Sequence, residues 1–507
     1  MKYLLGIDVG TSSTKTVLFD TLGKVICSSS REYPLYMPQN GWAEQDPEDW
    51  WQATQETIRE VVKTSEVNSS DIAGIGISGQ MHGVVMLDEA GKVIRKAIIW
   101  CDQRTKKQCE EINALVGKER HIEIAANPPL PGFSASKILW IRENEKDNYE
   151  RCRHILLPKD FIRYKLTGIF ATDVSDASGT GLLDVKNRCW SEEILEKLEI
   201  DRNFLPKVYE SPEVTGYITE EVARLTGLRE GTLVVGGAGD NAAAAVGTGV
   251  VTDGKAFTTI GTSGVVFAHT SKLAIDPKGR VHTFCHAVPG SWHVMGVTQA
   301  AGLSLKWFKD NFLQNIQEEA KQKDLDPYVL INEMIDKTPI GANKLIYLPY
   351  LNGERTPHLD SDCRGVFFGM TASHTQSDLA RAVMEGVTYS LKDCLEIILS
   401  MGYKVDEMMA CGGGGKSKVW RQMLSDTFRC PVHTTTSQEG PALGVAILAG
   451  VGAGIYESVE AACSQLITQA SKQEPNVENG DIYEKYYSVY QGLYRSLEED
   501  FKRLAKL

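Results

Sequence analysis

Asp240 and Asn241 stand at the tip of a glycine-rich turn inside Leu233 to Gly264, LVVGGAGDNAAAAVGTGVVTDGKAFTTIGTSG. A carboxylate there suits two tasks. It can cap the helix that Ala242 to Ala245 open, or it can take a proton as a general base at the mouth of a cleft. The same turn fits GxGxxA from Gly237 to Ala242. A dinucleotide reading fails, however: a carboxylate inside the loop repels a pyrophosphate, and no acidic residue on a following strand stands at the required distance. Two further segments offer backbone N–H and hydroxyl donors to a phosphate: Gly10-Thr11-Ser12-Ser13, with Asp8 at the preceding strand end, and Gly261-Thr262-Ser263-Gly264. The plain alternative for each is a polar hairpin turn.

Gly412 to Ser417 nearly spells the phosphate loop GxxxxGK[ST], but Ala410 stands where the first glycine is required. Consecutive glycines serve better as bare backbone against the flat face of an adenine. Met81 and His82 end a strand; His82 is either a hydrogen-bonded core residue or a contact to a sugar hydroxyl, with Met81 packing on a carbon face. Cys101 to Thr105, with Asp102, repeats the pattern of strand then polar cluster.

The elements that must position these residues follow from local pattern. Tyr3 to Ile7, Thr16 to Asp20, Ile72 to Ile77, Ala97 to Trp100, Leu233 to Val235, Phe257 to Ile260 and Met408 to Cys411 read as strands. Strand ends gathered on one edge of a sheet are where α/β folds bind ligands. The strand, Gly-Thr-Ser tip, strand plan of the opening stretch returns at Ala256 to Phe267, about 250 residues on, each copy where a domain would begin. The expected architecture is two domains, 1–248 and 249–507, with a cap inserted at about 125–190. Trp50, Trp51, Thr54, Ile58, Val61 and Val62 have helical spacing and read as core, as do Tyr483, Tyr487, Tyr490 and Tyr494. Gln299 to Phe312 and Ser377 to Leu399 read as helices, and Tyr347 to Arg364 as a polar loop over the cleft.

At 507 residues the chain exceeds what one core usually holds. The net charge of −12 argues against a nucleic-acid or anionic-membrane partner. Apolar residues reach Asp8 too soon for a signal peptide, and no run is long enough to span a membrane. Eleven scattered cysteines without a CxxC pair favour reduced thiols in the cytoplasm.

Together these segments resemble the FGGY family of carbohydrate kinases, in the superfamily of duplicated ribonuclease-H-like domains that holds actin, hexokinase and Hsp70. Gly132 through Asn144, GFSASKILWIREN, is similar to the first family signature and Gly365 through Glu385, GVFFGMTASHTQSDLARAVME, to the second. Ser78 to Gly83, Trp100 to Thr105 and Gly239 to Gly247 most resemble members that act on a ketopentose. The resemblance implies an α/β fold of two such domains around a cleft and ATP-dependent phosphorylation of D-xylulose to D-xylulose 5-phosphate. By position it implies Asp240 as proton acceptor, with Met81, His82, Asn241 and Asp102 at the ketose. Asp8 would organise Mg²⁺. Thr11, Ser12, Ser13, Gly261, Thr262 and Gly302 would lie near the phosphates of ATP, and Gly413 and Ser417 at the adenosine, with Trp307 an adenine neighbour. Ser417 replaces a family asparagine, and Cys101 stands where the family often has Asn. The resemblance allows a homodimer. Rival readings are a kinase for ribulose, gluconate or glycerol, an actin- or Hsp70-like ATPase switch, and a P-loop kinase using Lys416.

Overall fold

In the computed structural model, residues 1–437 and 439–507 are described. The strand Tyr3–Val9 buries Leu4, Leu5, Ile7 and Val9, so it lies at the centre of a sheet covered on both faces. Ser13–Asp20 and Val25–Glu32 follow it antiparallel, and Ile72–Gly79 runs parallel on its other side. Leu233–Val235 pairs parallel with Ile72–Gly79, and Val214–Tyr217 closes the edge antiparallel.

The second half repeats these six strands and adds His282–Cys285 at one edge. Gly254–Ile260 is central, flanked by antiparallel Gly264–Thr270 and then Trp292–Thr298. On its other side lie parallel Val405–Cys411 and Val432–Thr435 and antiparallel Gln469–Gln473. Two sheets with one order and one pattern of directions are the structural counterpart of the duplicated Gly-Thr-Ser hairpin.

Two short helices join the lobes. Asp240–Thr248 sets Ala245 among Phe257, Phe267 and Met409 of the second sheet. Gly440–Gly452, from the second half of the chain, packs Ala442, Val445 and Ala446 with Leu4, Val17 and Phe19 of the first sheet. The two helices cross in backbone contact: a Cβ on Gly444 would fall 1.9 Å from the carbonyl oxygen of Ala243. A Cβ on Gly76 would fall 1.9 Å from that of Val445, so the same helix lies directly on the strand Ile72–Gly79. Each lobe is thus partly cored by a helix from the other half of the sequence.

Helices Ser134–Asn144, Lys146–Arg151 and Pro158–Thr167 occupy the region read as a cap. Its core runs on through Trp190 and Leu195 to Leu205 and includes Val84, Ile98 and Ile112. The helix Pro158–Thr167 lies outside this core: its Phe161, Ile162 and Leu166 pack with Ile75 and Ile77 of the first sheet. The tyrosines of helix Val477–Leu504 are core: Tyr483, Tyr487 and Tyr490 are buried against Tyr389.

Candidate active site

Sheet register brings the first group of residues together. Asp8 lies beside Ser78 across parallel strands, and Ser78 lies beside Ala238, on a short strand extension. Gly239 follows, and Asp240 opens the helix Asp240–Thr248. Asp8 and Asp240 therefore meet at one sheet edge. The cap position belongs to Gly239, which has no side chain, so Asp240 is not a helix cap. Its Oδ1 accepts from the backbone N–H and the side-chain amide of Asn241, at 2.7 and 3.0 Å. Asn241 holds this carboxylate in place. Burial, and after it the like charge of Asp8, push Asp240 up to about 7, against the Asn241 donors. Burial also raises Asp8, while Ser78 and the Lys15 ammonium oppose the shift. Asp8 Oδ1 is enclosed and has no hydrogen-bond partner among the described residues.

The two hairpin tips each close on a glycine-to-serine backbone bond, the first loop spanning four residues and the second three. Gly10 N–H donates to the Ser13 carbonyl at 3.0 Å, and Gly261 N–H to the Ser263 carbonyl at 3.0 Å. The first tip is braced: the Trp100 indole donates to Thr11 Oγ1 at 2.9 Å and the Gln45 amide to the Thr11 carbonyl at 2.7 Å. Ser12 and Ser13 keep their hydroxyls free of partners among the described residues. At the second tip Gly302 N–H donates to the Gly261 carbonyl at 2.7 Å, and the N–H groups of Ala301 and Leu303 donate to the Thr262 carbonyl at 3.0 and 3.2 Å. The helix Gly302–Phe312 thus directs its first donors at the hairpin. Gly302 shapes the site as backbone.

Gly261, Thr262, Gly302, Gly413 and Ser417 line one cavity of about 550 Å³. Ser417 caps the helix Lys418–Phe428, accepting from Trp420 N–H at 3.1 Å, and donates its hydroxyl to Asn332 Oδ1 at 2.8 Å. Tyr328, Val329 and Asn332, on the helix Pro327–Asp336, line the same cavity. No motif marks that helix, so sequence reasoning missed it. Trp307 is not in the lining; it packs edge-on against Phe312 at 5.3 Å.

Met81 lies against Gly239, the residue before Asp240, and His82 beside it against Gly179. Met81 is buried, and its side chain fills the space that side chains on Gly239 and Gly179 would need. His82 has φ 69°, a left-handed backbone that a non-glycine residue adopts only when held there. Ser134 Oγ and Lys137 Nζ both donate to its carbonyl, at 3.1 and 2.9 Å. Its ring stacks on Phe133 at 4.5 Å, and Nδ1 lies 2.6 Å from the Gly179 carbonyl. A carbonyl only accepts, so Nδ1 carries the proton and Nε2 is an acceptor. Burial lowers His82 to about 3, so the ring is neutral.

Asp102 corrects an expectation. It is fully buried, and its oxygens accept from Ala43 N–H at 2.6 Å and from the backbone and guanidinium of Arg104 at 2.7 to 3.0 Å. Arg104 in turn lies over the Trp42 ring at 3.7 Å. With every lone pair engaged, Asp102 is structural and does not face a sugar.

Comparison with known proteins fits this geometry. Residues 3–247 match the N-terminal domain, and residues 256–453 the C-terminal domain, of the FGGY family of carbohydrate kinases. The xylulose kinase of Bacillus subtilis (strain 168) is 40% identical over 494 residues, 97% of each chain. The gluconokinase of the same organism is 33% identical over 505 residues, 99% of this chain and 98% of that one. The ligand-bound xylulose kinase from Lactobacillus acidophilus superposes with a TM-score of 0.92 at 28% identity, covering 99% of this chain and 100% of that one.

Proposed function

This chain belongs to the FGGY family of carbohydrate kinases, ATP-dependent sugar kinases, and from that premise we propose that it phosphorylates D-xylulose to D-xylulose 5-phosphate. Its fold is the duplicated α/β arrangement of the actin and hexokinase type. The ketose reading is supported by the 40% identity to a xylulose kinase against 33% to a gluconokinase, both over nearly the whole chain.

The site reading is carried by one observation: Asp240, at the shared sheet edge with Asp8, has its proton affinity raised to about 7. Asp240 acts as the proton acceptor. A sugar hydroxyl is far less acidic than any carboxylic acid, so its proton moves late, as the new O–P bond forms. The hydroxyl O–H bond breaks to Asp240, the sugar oxygen bonds the terminal phosphorus, and ADP leaves with the electrons of the broken P–O bond. Positioning does most of the work in such a transfer. In this reading residues 1–248 hold the ketose through Met81 and the His82 Nε2 acceptor. Residues 249–507 hold the nucleotide, its adenine between the glycines and Tyr328, with Asn332 and Ser417 at its rim. Thr11, Ser12, Ser13 and Thr262 present donors to the phosphates.

Sugar kinases of this family use a divalent cation with ATP, here Mg²⁺. The enclosed, unpartnered Asp8 Oδ1 suits a hard cation. No group of three acidic, His or Cys side chains that could hold a metal occurs among the described residues. Phosphate and water oxygens would therefore complete its shell, and the ion would neutralise phosphate charge. All eleven cysteines are free thiols, which supports placing the enzyme in the cytoplasm; among the described residues no helix is long and apolar enough to cross a membrane.

A coupled ADP-release assay over D-xylulose, D-ribulose, gluconate and glycerol tests the reading. D-xylulose should give the highest kcat/KM; a higher value for any of the others overturns the assignment.

A further inference from the structure

Arg355 lies in the loop between the strands Ile346–Leu348 and Val366–Phe368. Its neighbours fix the backbone tightly. Buried Glu354 accepts, on Oε1, from the N–H groups of Gln299 and Arg355, each at 2.8 Å. On Oε2 it accepts from the hydroxyls of Thr298 and Ser390 at 2.5 and 3.1 Å. Thr356 N–H donates to the Val297 carbonyl at 3.0 Å; its Oγ1 accepts from Val297 N–H at 3.1 Å and donates to the Arg280 carbonyl at 2.8 Å. The side chain carried by this rigid loop is different. The Arg355 guanidinium has no ion pair and no hydrogen bond among the described residues. Burial holds it below the usual arginine range despite the neighbouring Glu354. The side chain is half-buried, so its five unpaired donors stay open to the acceptor groups of a bound ligand.

Position says which acceptor. Arg280, tied to Thr356, stands two residues before His282, whose ring lies 5.8 Å from Phe133, and Phe133 stacks on His82 at 4.5 Å. The charge of Arg355 reaches both His82 and His282. Arg355 therefore approaches the His82 end of the sugar site from the second lobe. The ring of His82 offers that space only an acceptor. A ketose carbonyl also only accepts, so it requires a donor from elsewhere. An alditol of the same length carries a hydroxyl at that carbon, which can donate to His82 and has no such requirement.

We propose that Arg355 is a ketose-binding residue supplied by the second lobe, its guanidinium donating to the sugar carbonyl at the end remote from the hydroxyl that is phosphorylated. The inference rests on the D-xylulose reading above and names the group that recognises the ketose within it.

The test is steady-state kinetics of the wild type, Arg355→Met and Arg355→Lys, with D-xylulose as substrate and xylitol as competitive inhibitor. In Arg355→Met the KM for D-xylulose should rise about 10- to 100-fold, the worth of a hydrogen bond from a charged group, with the xylitol Ki shifted by less than about threefold. The KM for ATP should hold, and Arg355→Lys should recover part of the loss. If the Met variant does not fold, the Lys variant carries the same comparison at smaller amplitude. An unmoved D-xylulose KM, or equal losses for xylulose and xylitol, overturns the role of Arg355. A wild type that does not phosphorylate D-xylulose overturns the functional reading itself.

Discussion

Lys137 Nζ donates to the carbonyl oxygen of His82 at 2.9 Å and to that of Gly132 at 2.6 Å, from a side chain with no exposure to solvent. Burial lowers the lysine to about 7, although Asp102 and Cys101 draw it back up. Charged or neutral it has N–H groups enough for both carbonyls. It thus clamps the left-handed backbone that aims the His82 ring. Replacing it by methionine takes the donor from the Gly132 carbonyl, at a cost of about 1–3 kcal/mol, and leaves the His82 carbonyl to Ser134 Oγ alone. Lys137→Met should melt several degrees lower and raise the KM for D-xylulose, with the KM for ATP unchanged. An equal rise in both KM values would refute the clamp.

Asp240→Asn removes the proton acceptor and should lower kcat at least a hundredfold while sugar binding persists, read by single-turnover kinetics and a ketose titration. Since kcat/KM reports the free enzyme's essential base, the wild-type profile should fall on the acid side with an apparent pKa near 7. An acid limb near 4 would mean that the field of Asp8 and the burial do not act on the reacting carboxylate.

The same shift makes a stability prediction of definite sign. A carboxyl raised to about 7 in the folded state binds more protons than the unfolded chain between roughly pH 4 and pH 7. Its contribution is complete below the unfolded pKa and is lost as pH rises through 7. At pH 8 the folded protein therefore carries an unfavourable buried charge. The scale is about 1.4 kcal/mol per pKa unit, reduced because the carboxylate opens onto the cleft. Asp240→Asn should unfold at higher denaturant than the wild type at pH 8, and the gap should narrow toward pH 5. A gap independent of pH would refute the linkage.

The helix crossing should tolerate no side-chain growth. Gly444→Ala sets a methyl 1.9 Å from the Ala243 carbonyl oxygen, a backbone atom that cannot swing aside. Overpacking of this kind costs about 1–3 kcal/mol. The helices would have to part, and kcat should fall with stability, because the same contact fixes how the lobes meet. Thermal melting and steady-state rates check this.

Asn332→Ala removes the partner of Ser417 at the nucleotide cavity. The KM for ATP should rise about threefold to tenfold, the effect of one neutral hydrogen bond, with no change in KM for D-xylulose. An unchanged ATP KM would show that the amide serves only the helix cap.

Much of the site was legible because it is local. A strand, a Gly-Thr-Ser tip and a returning strand are dictated by adjacent residues, and the repeat of that unit announced two like lobes. The glycines at 412 to 415 likewise declared bare backbone. Asp102 shows where this ends: a polar cluster after a strand looks like a ligand contact until Arg104 and Ala43 are seen to engage its oxygens.

What the sequence by itself determined was the set of turns and strand ends able to meet a phosphorylated nucleotide, and the kinship that reads them as a sugar kinase. Only the tertiary structure decided which remote groups join them. Asn332, Lys137 and Arg355 reach the site on a motif-free helix, a signature helix and a polar loop, and nothing in their neighbours along the chain marks a partner. The reason is physical. Backbone conformation depends on a few adjacent residues, whereas the partner of a polar side chain depends on which distant element packs against it. The interlocking helices Asp240–Thr248 and Gly440–Gly452 exchange cores between the halves of the chain, and no local pattern encodes that exchange.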